Sequence, residues 1–476
     1  MQYFWDKLEQ YGAGKALVQD DGRECTYEEM TELSRILSTM LMPRSVCLQL
    51  CSNTIASVAG YVGLLRNRVV PLLLDSALDE MLLNKLMRLY RPRYMWLPQE
   101  ERRQRESLQS YEALYSYQGY DLLLLSPGPP YPLCDGLGVL LTTSGSTGSP
   151  KFVRQSYRNM EANAASICEY LASDEKERPV TTLPMHYTYG LSVLHSHLRM
   201  GATVLLTSYP VVRREFWEFM KERKATSLAG VPYTYGVLRK VKCMQMDLPD
   251  LKVLTQAGGR LPVALQREFG EWAGKEGRKF IVMYGQTEAT ARMSYLPAEH
   301  CLDKCGSIGI PIPGGTFALV DEEGDEICQS QTDGELVYRG ENVALGYAES
   351  AEDLSRGDDW GGVLYTGDIA RKDADGYYYI TGRRKRFLKL YGSRVNLDEI
   401  EQLVNQTFPH ADCAAVGTDE RMRLYITDKD AIEKVKEFVV DKTRINALAV
   451  QVDYLAELPR NASGKILYGT LERKEL

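Results

Sequence analysis

Short apolar runs alternate with amphipathic helical patterns along most of this chain, and this alternation constrains the fold more than any other feature. The runs predict strands at Asp121–Leu125, Gly138–Thr142, Ala202–Thr207, Leu251–Gln256 and Lys279–Tyr284. Between them, apolar side chains recur at helical spacing, at Met160, Ala164, Ile167 and Leu171, and again at Leu265, Phe269 and Trp272. Such alternation is typical of layered α/β architecture with much parallel sheet, in which binding loops gather beyond the carboxyl ends of the strands.

The pattern changes at about residue 308, where prolines and glycines begin to separate shorter strands. Three of these strands are predicted at Phe317–Val320, Glu335–Arg339 and Tyr377–Ile380. We therefore predict a large N-terminal domain of layered α/β sheets at residues 1–383, with a β-rich subdomain at about 308–383. A small α+β C-terminal domain follows at 384–476, and the boundary lies at the basic run Gly382–Arg386.

Composition excludes several classes of partner. The chain has 476 residues and a net charge of −7, which argues against nucleic acid and against an anionic membrane surface as partners. No apolar stretch reaches the roughly 18 residues of a spanning helix, and the start at Met1–Lys7 lacks the pattern of a secretory signal. Ten cysteines form no paired framework, so we expect reduced thiols, no structural metal and a cytoplasmic location.

The segment Thr142–Lys151 carries the most specific chemistry in the chain. It combines hydroxyl side chains with two glycines and a lysine, directly after an apolar run. Glycines let backbone N–H groups turn toward an anion, and hydroxyls and a lysine add donors and charge. The common phosphate loop G-x-x-x-x-G-K-[ST] is excluded, because Pro150 stands where it requires glycine. The segment therefore predicts a polyphosphate-binding loop, and a flexible Ser/Gly-rich surface linker is the alternative.

Two further segments have the residue types that bind a nucleotide. Tyr284–Glu288 follows a predicted strand and offers an aromatic face for a base, a threonine for a phosphate oxygen and a carboxylate for Mg²⁺. A strand end followed by a capped helix is the alternative interpretation. Tyr365–Asp368 offers a carboxylate for ribose hydroxyls, although a β-turn explains it equally well.

Three segments nearer the C-terminus are weak signals when taken singly. Tyr379–Arg383 ends in an arginine that could contact ribose or phosphate. Gly392–Glu401 leads into an acidic helix start, which favourable helix-dipole charges explain without any ligand. Pro459–Ile466 places Lys465 on a short polar loop, where a lysine is usually only solvated.

In their order and spacing, these segments resemble the adenylate-forming superfamily of acyl-CoA synthetases, peptide-synthetase adenylation domains and luciferases. The resemblance covers nearly the whole chain. It implies a large N-terminal domain and a small mobile C-terminal domain, with the active site between them and a domain rotation between two half-reactions. It also implies ATP and Mg²⁺ as cofactors.

The resemblance implies a role for each matching residue. The residues expected to contact the β,γ-phosphates of ATP are Thr143, Ser144, Ser146, Thr147 and Lys151. Those expected to bind the nucleoside are Gly258 and Gly259 against adenine, Tyr284 stacked on the base, and Asp368 and Arg383 at the ribose. The expected catalytic residues are Thr287 at the α-phosphate, Glu288 as the Mg²⁺ ligand, and Lys465 bridging the substrate carboxylate and the α-phosphate.

The expected acid pocket includes His186, Tyr187 and Gly285. His186 is either a pocket wall or gate, or part of a packed aromatic cluster that supports the next helix. Relatives that activate α-amino acids commonly carry an aspartate in this region, but no Asp or Glu occurs between Thr181 and Arg199. This favours an uncharged aryl or alkyl carboxylic acid as the substrate.

Two departures from the family pattern concern the C-terminal domain. Lys385 stands at the hinge position, where relatives often have aspartate, and Arg384 and Arg386 flank it. A positive hinge either neutralises phosphates in one conformer or is simply solvated. The portion at 386–476 is also short for the family.

The resemblance implies that ATP activates a small carboxylic acid to acyl-AMP with release of pyrophosphate. The acyl group is then transferred to a thiol. The favoured acceptor is coenzyme A, and the alternative is the phosphopantetheine of a carrier protein. Two other functions stay open: a catalytically reduced nucleotide-binding or scaffold protein, and a luciferase-like oxygenase. Intact Lys151, Glu288, Asp368 and Lys465 disfavour the scaffold, and nothing in the sequence favours the oxygenase.

Overall fold

The computed structural model describes residues 2–142, 151–390, 393–418, 421–443, 446–460 and 466–472. The chain forms two compact units. The first contains Met1–Thr316 and Arg339–Leu364, and the second contains Phe317–Tyr338 and Tyr365–Leu476. The predicted domain boundary at residue 383 stays a prediction, and the strands of the β-rich segment lie largely in the second unit.

The strands of the first three hundred residues are β1 (Lys15–Gln19), β2 (Glu24–Thr26), β3 (Val46–Cys51), β4 (Val70–Asp75), β5 (Tyr94–Pro98), β6 (Glu112–Tyr117), β7 (Tyr120–Leu124), β8 (Leu137–Thr142), β9 (Phe152–Ser156), β10 (Pro179–Val180), β11 (Val204–Leu206), β12 (Ser227–Gly230), β13 (Val253–Gln256), β14 (Lys279–Tyr284) and β15 (Ser294–Leu296). The later strands are β16 (Ile310–Pro311), β17 (Gly315–Val320), β18 (Gly334–Gly340), β19 (Tyr347–Ala348), β20 (Val363–Lys372), β21 (Tyr378–Arg383), β22 (Phe387–Leu390), β23 (Ser393–Asn396), β24 (Cys413–Thr418), β25 (Arg421–Ile426) and β26 (Val450–Tyr454).

The α-helices are α1 (Tyr27–Ser38), α2 (Ile55–Arg66), α3 (Glu80–Tyr90), α4 (Gln99–Gln104), α5 (Glu106–Gln109), α6 (Tyr157–Leu171), α7 (Thr188–Arg199), α8 (Arg214–Glu222), α9 (Pro232–Lys240), α10 (Val263–Lys275), α11 (Leu397–Thr407), α12 (Ile432–Thr443) and α13 (Tyr468–Glu472).

Two large sheets organise the first unit. In the described residues, one has the order β16-β15-β14-β13-β12-β10-β11-β1-β2, and its strands from β14 to β1 run parallel. The other has the order β19-β9-β8-β4-β3-β5-β7-β6, with a parallel centre and antiparallel edges. The predicted layered α/β fold is confirmed, and β14 has the predicted bounds.

The parallel strands explain where a site can form. Because β13 and β14 run parallel, the segments that follow Gln256 and Tyr284 emerge at the same edge of their sheet. In the other sheet, β8 and β9 pair antiparallel, so Thr142 lies opposite Phe152 at the base of the connection between them. The predicted phosphate loop is this connection.

Helix α6 contains the predicted helical positions from Met160 to Leu171, and its first turn is capped by side chains. The Ser156 side chain accepts a hydrogen bond from the backbone N–H of Asn159 at 3.0 Å, and the Asn159 side chain accepts one from the backbone N–H of Ser156 at 2.7 Å. This reciprocal cap satisfies two backbone donors at the helix start. It also fixes the first turn of a helix whose buried face contains Asn159 and Asn163.

The second unit is smaller and mixed in character. A four-stranded sheet of order β17-β18-β20-β21 lies largely within it, together with the β22-β23 hairpin and the sheet β24-β25-β26. Helices α11 and α12 contribute Val404, Val435 and Val439 to a core shared with the strands. Within the described ranges, no helix has both the length and the apolar character needed to cross a membrane.

Candidate functional site

Gly258 follows β13 and lies tightly against Tyr187. Its φ of +82° is in the left-handed region, and a Cβ placed there would lie 2.5 Å from the Tyr187 hydroxyl oxygen. A side chain at this position would therefore both strain the backbone and displace the tyrosine. Burial raises the pKa of Tyr187 to about 12, so its hydroxyl stays protonated at neutral pH. The structure thus brings together one predicted adenine residue and one predicted pocket residue.

Gly285 follows β14 and allows a close approach of two backbone segments. A Cβ at Gly285 would lie 1.8 Å from the carbonyl oxygen of Ala291 and 2.8 Å from the Cα of Arg292. Any side chain would force the two segments apart. Tyr284, the residue before it, accepts a hydrogen bond at its hydroxyl from the Gln286 amide at 3.1 Å.

Glu288 and Lys151 are linked through a residue that sequence reasoning missed, Tyr347. The Tyr347 hydroxyl donates to Oε1 of Glu288 at 2.8 Å, and Nζ of Lys151 lies 3.5 Å from the centroid of the Tyr347 ring. Trp360 packs edge-on against the same ring, with 5.0 Å between centroids. Burial and the neighbouring carboxylate raise the pKa of Tyr347, which keeps its hydroxyl a donor.

The backbone after Glu288 adopts a strained turn. Thr290 has φ 65° and ψ −61°, and the N–H of Ala291 donates to the carbonyl of Ala289 at 2.7 Å. This is the rare γ-turn, which is unfavourable for a β-branched residue. Strain of this kind persists only where surrounding contacts hold it.

Buried amides supply those contacts. The Gln155 side chain donates to the carbonyls of Thr287 and Thr290 at 3.0 and 3.1 Å. Asn342 donates from its side chain to the carbonyl of Ala289 at 2.9 Å, and its own carbonyl accepts from the Thr290 hydroxyl at 2.7 Å. The segment that carries Glu288 is therefore fixed from both sides, which is the preorganisation that a metal-binding carboxylate requires.

Arg154 holds the segment that carries Tyr347. Its guanidinium donates to the carbonyls of Leu345 and Tyr347 at 3.0 and 3.1 Å, and it pairs with Asp359 at 2.5 Å. The side chain is fully buried, and burial lowers its pKa, an effect that the charge of Asp359 opposes. Since one charged side chain satisfies several carbonyls, its loss would release the tyrosine.

His186 approaches the end of β4. It precedes α7, while Asp75 ends β4 in the other sheet, and their nearest atoms, Nε2 and Oδ2, are 3.9 Å apart. This distance is too long for a direct hydrogen bond. Nδ1 of His186 is buried and has no hydrogen-bond partner among the described residues. Burial lowers the pKa of His186, although Asp75 acts in the opposite direction, so the ring is neutral at pH 7.

Asp368 and Arg383 pair with each other in the second unit. They are opposite residues of β20 and β21, and Nε of Arg383 lies 3.0 Å from Oδ1 of Asp368. Asp368 is only 3% exposed. The backbone N–H of Gly367 donates to Oε1 of Glu335 at 3.2 Å, and Arg384 pairs with the other oxygen of Glu335 at 2.6 Å. Glu335, which the sequence did not single out, thus fixes the turn before Asp368.

The hinge position lies between two engaged arginines. Lys385 is in a turn of 3₁₀-helix, Arg384–Arg386, and Arg386 pairs with Asp398 and Glu401 at 2.8 and 2.6 Å. The Tyr468 hydroxyl donates to the second oxygen of Glu401 at 2.9 Å. Burial raises the pKa of Glu401, and the charge of Arg386 opposes that rise. The positive charges of Arg384 and Arg386, on either side of Lys385, are therefore paired with carboxylates.

Five predicted site residues lie outside the described part of the chain: Thr143, Ser144, Ser146, Thr147 and Lys465. In the part that is described, no group of three or more His, Cys, Asp or Glu side chains is arranged to hold a metal ion. Mg²⁺ does not require such a group, because proteins usually bind it through one or two carboxylates together with substrate phosphates. Glu288 is the carboxylate that fits, because it is half-buried and only one of its oxygens accepts from Tyr347.

Comparison with known proteins finds one matching family model and several similar ligases. The family model described as AMP-binding enzyme matches residues 4–348. The chain is 32% identical over 358 residues to a long-chain-fatty-acid–CoA ligase of Salmonella typhimurium. The aligned stretch covers 71% of this chain but only 62% of that relative. A 2-succinylbenzoate–CoA ligase of Bacillus licheniformis is 27% identical over 343 residues, 70% of this chain and 69% of the relative.

A solved structure extends the likeness in fold to the whole chain. The o-succinylbenzoate CoA synthetase of Bacillus subtilis, in complex with its acyl-adenylate intermediate, superposes with a TM-score of 0.79. The superposition covers 99% of this chain and 98% of that one, at 21% identity. The two proteins therefore share a fold. Since the family model matches well over half of the sequence, the chain belongs to the family of AMP-binding enzymes.

Proposed function

We propose that this protein is an AMP-forming ligase that joins a carboxylic acid to coenzyme A. In the first step an oxygen of the acid attacks the α-phosphorus of ATP, a carboxylate–phosphate bond forms and pyrophosphate leaves. In the second step the thiol of coenzyme A loses its proton and attacks the acyl carbonyl. A thioester forms and AMP leaves. Because both co-substrates are abundant in the cytoplasm, we place the enzyme there.

The observation that carries this proposal is the Lys151–Tyr347–Glu288 arrangement in a chain of this family. It places a cation that can meet polyphosphate close to a carboxylate that can hold Mg²⁺. When bound, Mg²⁺ would supply positive charge to the phosphate oxygens. Tyr347 keeps one oxygen of Glu288 engaged and so leaves the other for the metal.

The other residues of the first unit would bind and orient the nucleotide. Thr287, which is buried and whose carbonyl is fixed by Gln155, would contact the α-phosphate. Tyr284 would stack on adenine, with Gly258 and Gly259 against the base. Little covalent work is needed from the protein, since positioning and preorganised positive charge stabilise the charge that develops on the phosphoryl oxygens.

The second unit would contribute Asp368 and Arg383 to the ribose and Lys465 to the reacting groups. The Asp368–Arg383 pair supports the ribose assignment, because an oriented carboxylate is a good acceptor for hydroxyl groups. Lys465 would neutralise the substrate carboxylate and the α-phosphate as they approach. Its replacement by alanine should slow adenylation about 100- to 1,000-fold, by analogy with the loss of one preorganised donor.

Coenzyme A is favoured as the acceptor because the compared relatives are named CoA ligases. A carrier protein is the alternative, because the sequence of the segment 394–401 resembles that of carrier-protein-loading members of the superfamily. However, Asp398 and Glu401 of that segment already pair with Arg386, so an internal structural role accounts for them. This weakens the case for a carrier-protein acceptor.

The test is pyrophosphate release with ATP and Mg²⁺ across a panel of aryl, short-chain, fatty, dicarboxylic and amino acids, each with and without coenzyme A. We expect release that requires an acid and continues for many turnovers only with coenzyme A. A single burst that coenzyme A does not prolong would assign the acceptor to a carrier protein. Glu288→Gln should abolish most release, whereas Glu299→Gln, on an exposed turn of the same unit, should leave it unchanged.

A further inference from the structure

Arg292 is buried and pairs with no carboxylate among the described residues. Its side chain lies within the first unit, and the residue is 2% exposed. Nε donates to the Ser192 hydroxyl at 3.2 Å, and Nη1 contacts the Tyr170 hydroxyl at 3.0 Å and the Met283 sulfur at 3.3 Å. These partners are neutral dipoles. The second terminal nitrogen, Nη2, makes no hydrogen bond with any described residue.

The other buried arginines differ from Arg292 in this respect. In the described part of the chain, Arg105, Arg154 and Arg292 are the arginines classed as buried. Arg105 pairs with Glu101 at 2.7 Å and Arg154 with Asp359 at 2.5 Å. Burying a guanidinium without a compensating anion is unfavourable, and a protein normally supplies the carboxylate itself. At Arg292 that anion is missing from the described residues, which suggests that a ligand provides it.

Arg292 is held in a fixed position. Its backbone carbonyl accepts hydrogen bonds from the side chains of Asn163 at 2.9 Å and Asn342 at 3.1 Å. Its guanidinium carbon lies 5.1 Å from the centroid of the Tyr189 ring. The Ser192 hydroxyl in turn donates to the carbonyl of Tyr189 at 2.7 Å, so its lone pairs face the guanidinium. A preorganised cation of this kind can select a ligand group by charge and geometry.

The location of Arg292 ties it to the expected acid pocket. Its Cα would lie 2.8 Å from a Cβ at Gly285, a predicted pocket residue. Tyr189 packs edge-on against Tyr187, with 6.4 Å between the ring centroids, and Tyr187 lies against Gly258. Contacts therefore lead from Arg292 to two of the predicted pocket residues and to the adenine segment.

We propose that the guanidinium of Arg292 binds a second anionic group of the acid substrate, so that the enzyme prefers dicarboxylic acids to monocarboxylic acids of the same size. This inference rests on the proposed function and refines its substrate class. It also revises the expectation of an uncharged acid, which considered only the residues between Thr181 and Arg199. Arg292 lies outside that interval, beyond β14.

The test compares matched acids on the wild-type protein and on variants. Octanoic acid is paired with suberic acid, and benzoic acid with phthalic and terephthalic acids, in the pyrophosphate-release assay. We expect wild type to prefer a dicarboxylic member of at least one pair. Arg292→Met should raise KM for that acid about 100-fold and leave KM for its monocarboxylic partner within about threefold, because only the charged contact is lost. Arg292→Lys should retain part of the preference.

Arg278→Met is the matched control, since the Arg278 side chain is only 8% exposed and lies over the ring of Trp272 at 4.6 Å. It should leave the acid preference unchanged. Binding of a fluorescent ATP analogue and thermal melting check that each variant is folded. An equal loss with both members of a pair would contradict the proposal, because Arg292 would then serve the reacting carboxylate or the fold.

A failure of the proposed function can be separated from a failure of this inference. If no acid supports pyrophosphate release, the ligase assignment fails, and calorimetric titration of the same acids still tests Arg292. Dicarboxylic acids that bind wild type but not Arg292→Met support an anion site. Equal binding by the two proteins, or binding by neither, overturns it.

Discussion

The Tyr347 hydroxyl donates to Glu288 at 2.8 Å although the two residues are 59 positions apart in the chain. The backbone N–H of Ala344 donates to the carbonyl of Glu288 at 2.9 Å and joins the two segments. Strand β19 pairs antiparallel with β9 and places Tyr347 opposite Val153, two residues after Lys151. The same ring thus receives the lysine on its face and presents its hydroxyl to the carboxylate. This relationship couples the end of the predicted phosphate loop to the predicted metal ligand.

Replacing Tyr347 with phenylalanine tests this coupling. The ring under Lys151 remains, and only the hydrogen bond to Glu288 is lost. We expect kcat/KM for adenylation to fall about 10- to 100-fold and the Mg²⁺ concentration for half-maximal activity to rise, as for other residues that orient a metal ligand. Steady-state assays over a Mg²⁺ series measure both quantities. Tyr235→Phe, which loses a buried hydroxyl bonded to Thr255 at 2.9 Å, is the control and should not change the Mg²⁺ dependence.

Replacing Gly285 with alanine tests the close approach of the two backbone segments. The added Cβ would lie 1.8 Å from the Ala291 carbonyl, so the segments must separate. We expect the adenylation rate to fall about 100-fold, since displacements of about 1 Å near reacting groups have effects of that size. Gly274→Ala in helix α10 meets no atom within 4 Å and should leave the rate intact. Similar rates for the two variants would show that the approach is not needed.

Asp368 is predicted to recognise ribose hydroxyls. Asp368→Ala should lower kcat/KM for ATP about 10- to 100-fold while affecting 2′,3′-dideoxy-ATP much less, because the lost contact involves a charged acceptor. Competing the two nucleotides in one assay gives the ratio directly. Asp333→Ala removes a carboxylate that pairs with Arg371 at 2.9 Å in the same unit and should preserve the ratio. A ratio unchanged by Asp368→Ala would remove Asp368 from the ribose site.

Buried histidines should make stability depend on pH. Burial lowers the pKa of His195 to about 3 from an ordinary value of 6.5, and its Nε2 lies 2.8 Å from the Tyr61 hydroxyl. Below pH 6.5 His195 becomes protonated in the unfolded chain but stays neutral in the folded protein. The free energy of unfolding therefore falls as the pH falls. Well above pH 6.5 the contribution of His195 to the free energy of unfolding does not change with pH. Between pH 6 and pH 5 the loss from His195 should be about 1 kcal/mol.

Urea denaturation at several pH values measures that loss. His195→Gln keeps a polar partner for Tyr61 and should reduce the slope of stability against pH in this range. His410→Gln, at an exposed position, should leave the slope as in wild type. Equal slopes for all three proteins would mean that His195 takes up its proton in the folded state.

The strands and motifs were predictable because their signals are local. Apolar runs predicted the observed bounds of β14, and the YGQTE motif after it led to the prediction of Glu288 as a metal ligand. Tyr347 was not predictable, since its role depends on an antiparallel pairing of a two-residue strand far along the chain. Arg292 was not predictable either, because a sequence does not show which arginines become buried on folding. The charge of the hinge was misleading for the same reason, as Arg384 and Arg386 pair with carboxylates brought near only by folding.

Detection of the bound intermediate tests the central claim most directly. The protein is incubated with ATP, Mg²⁺ and the best acid of the panel, without coenzyme A, and the small molecules released on denaturation are identified by mass spectrometry. We predict one acyl-AMP per active site together with pyrophosphate, and its conversion to acyl-CoA and AMP when coenzyme A is added. Formation of ADP and phosphate in place of acyl-AMP and pyrophosphate would contradict the account.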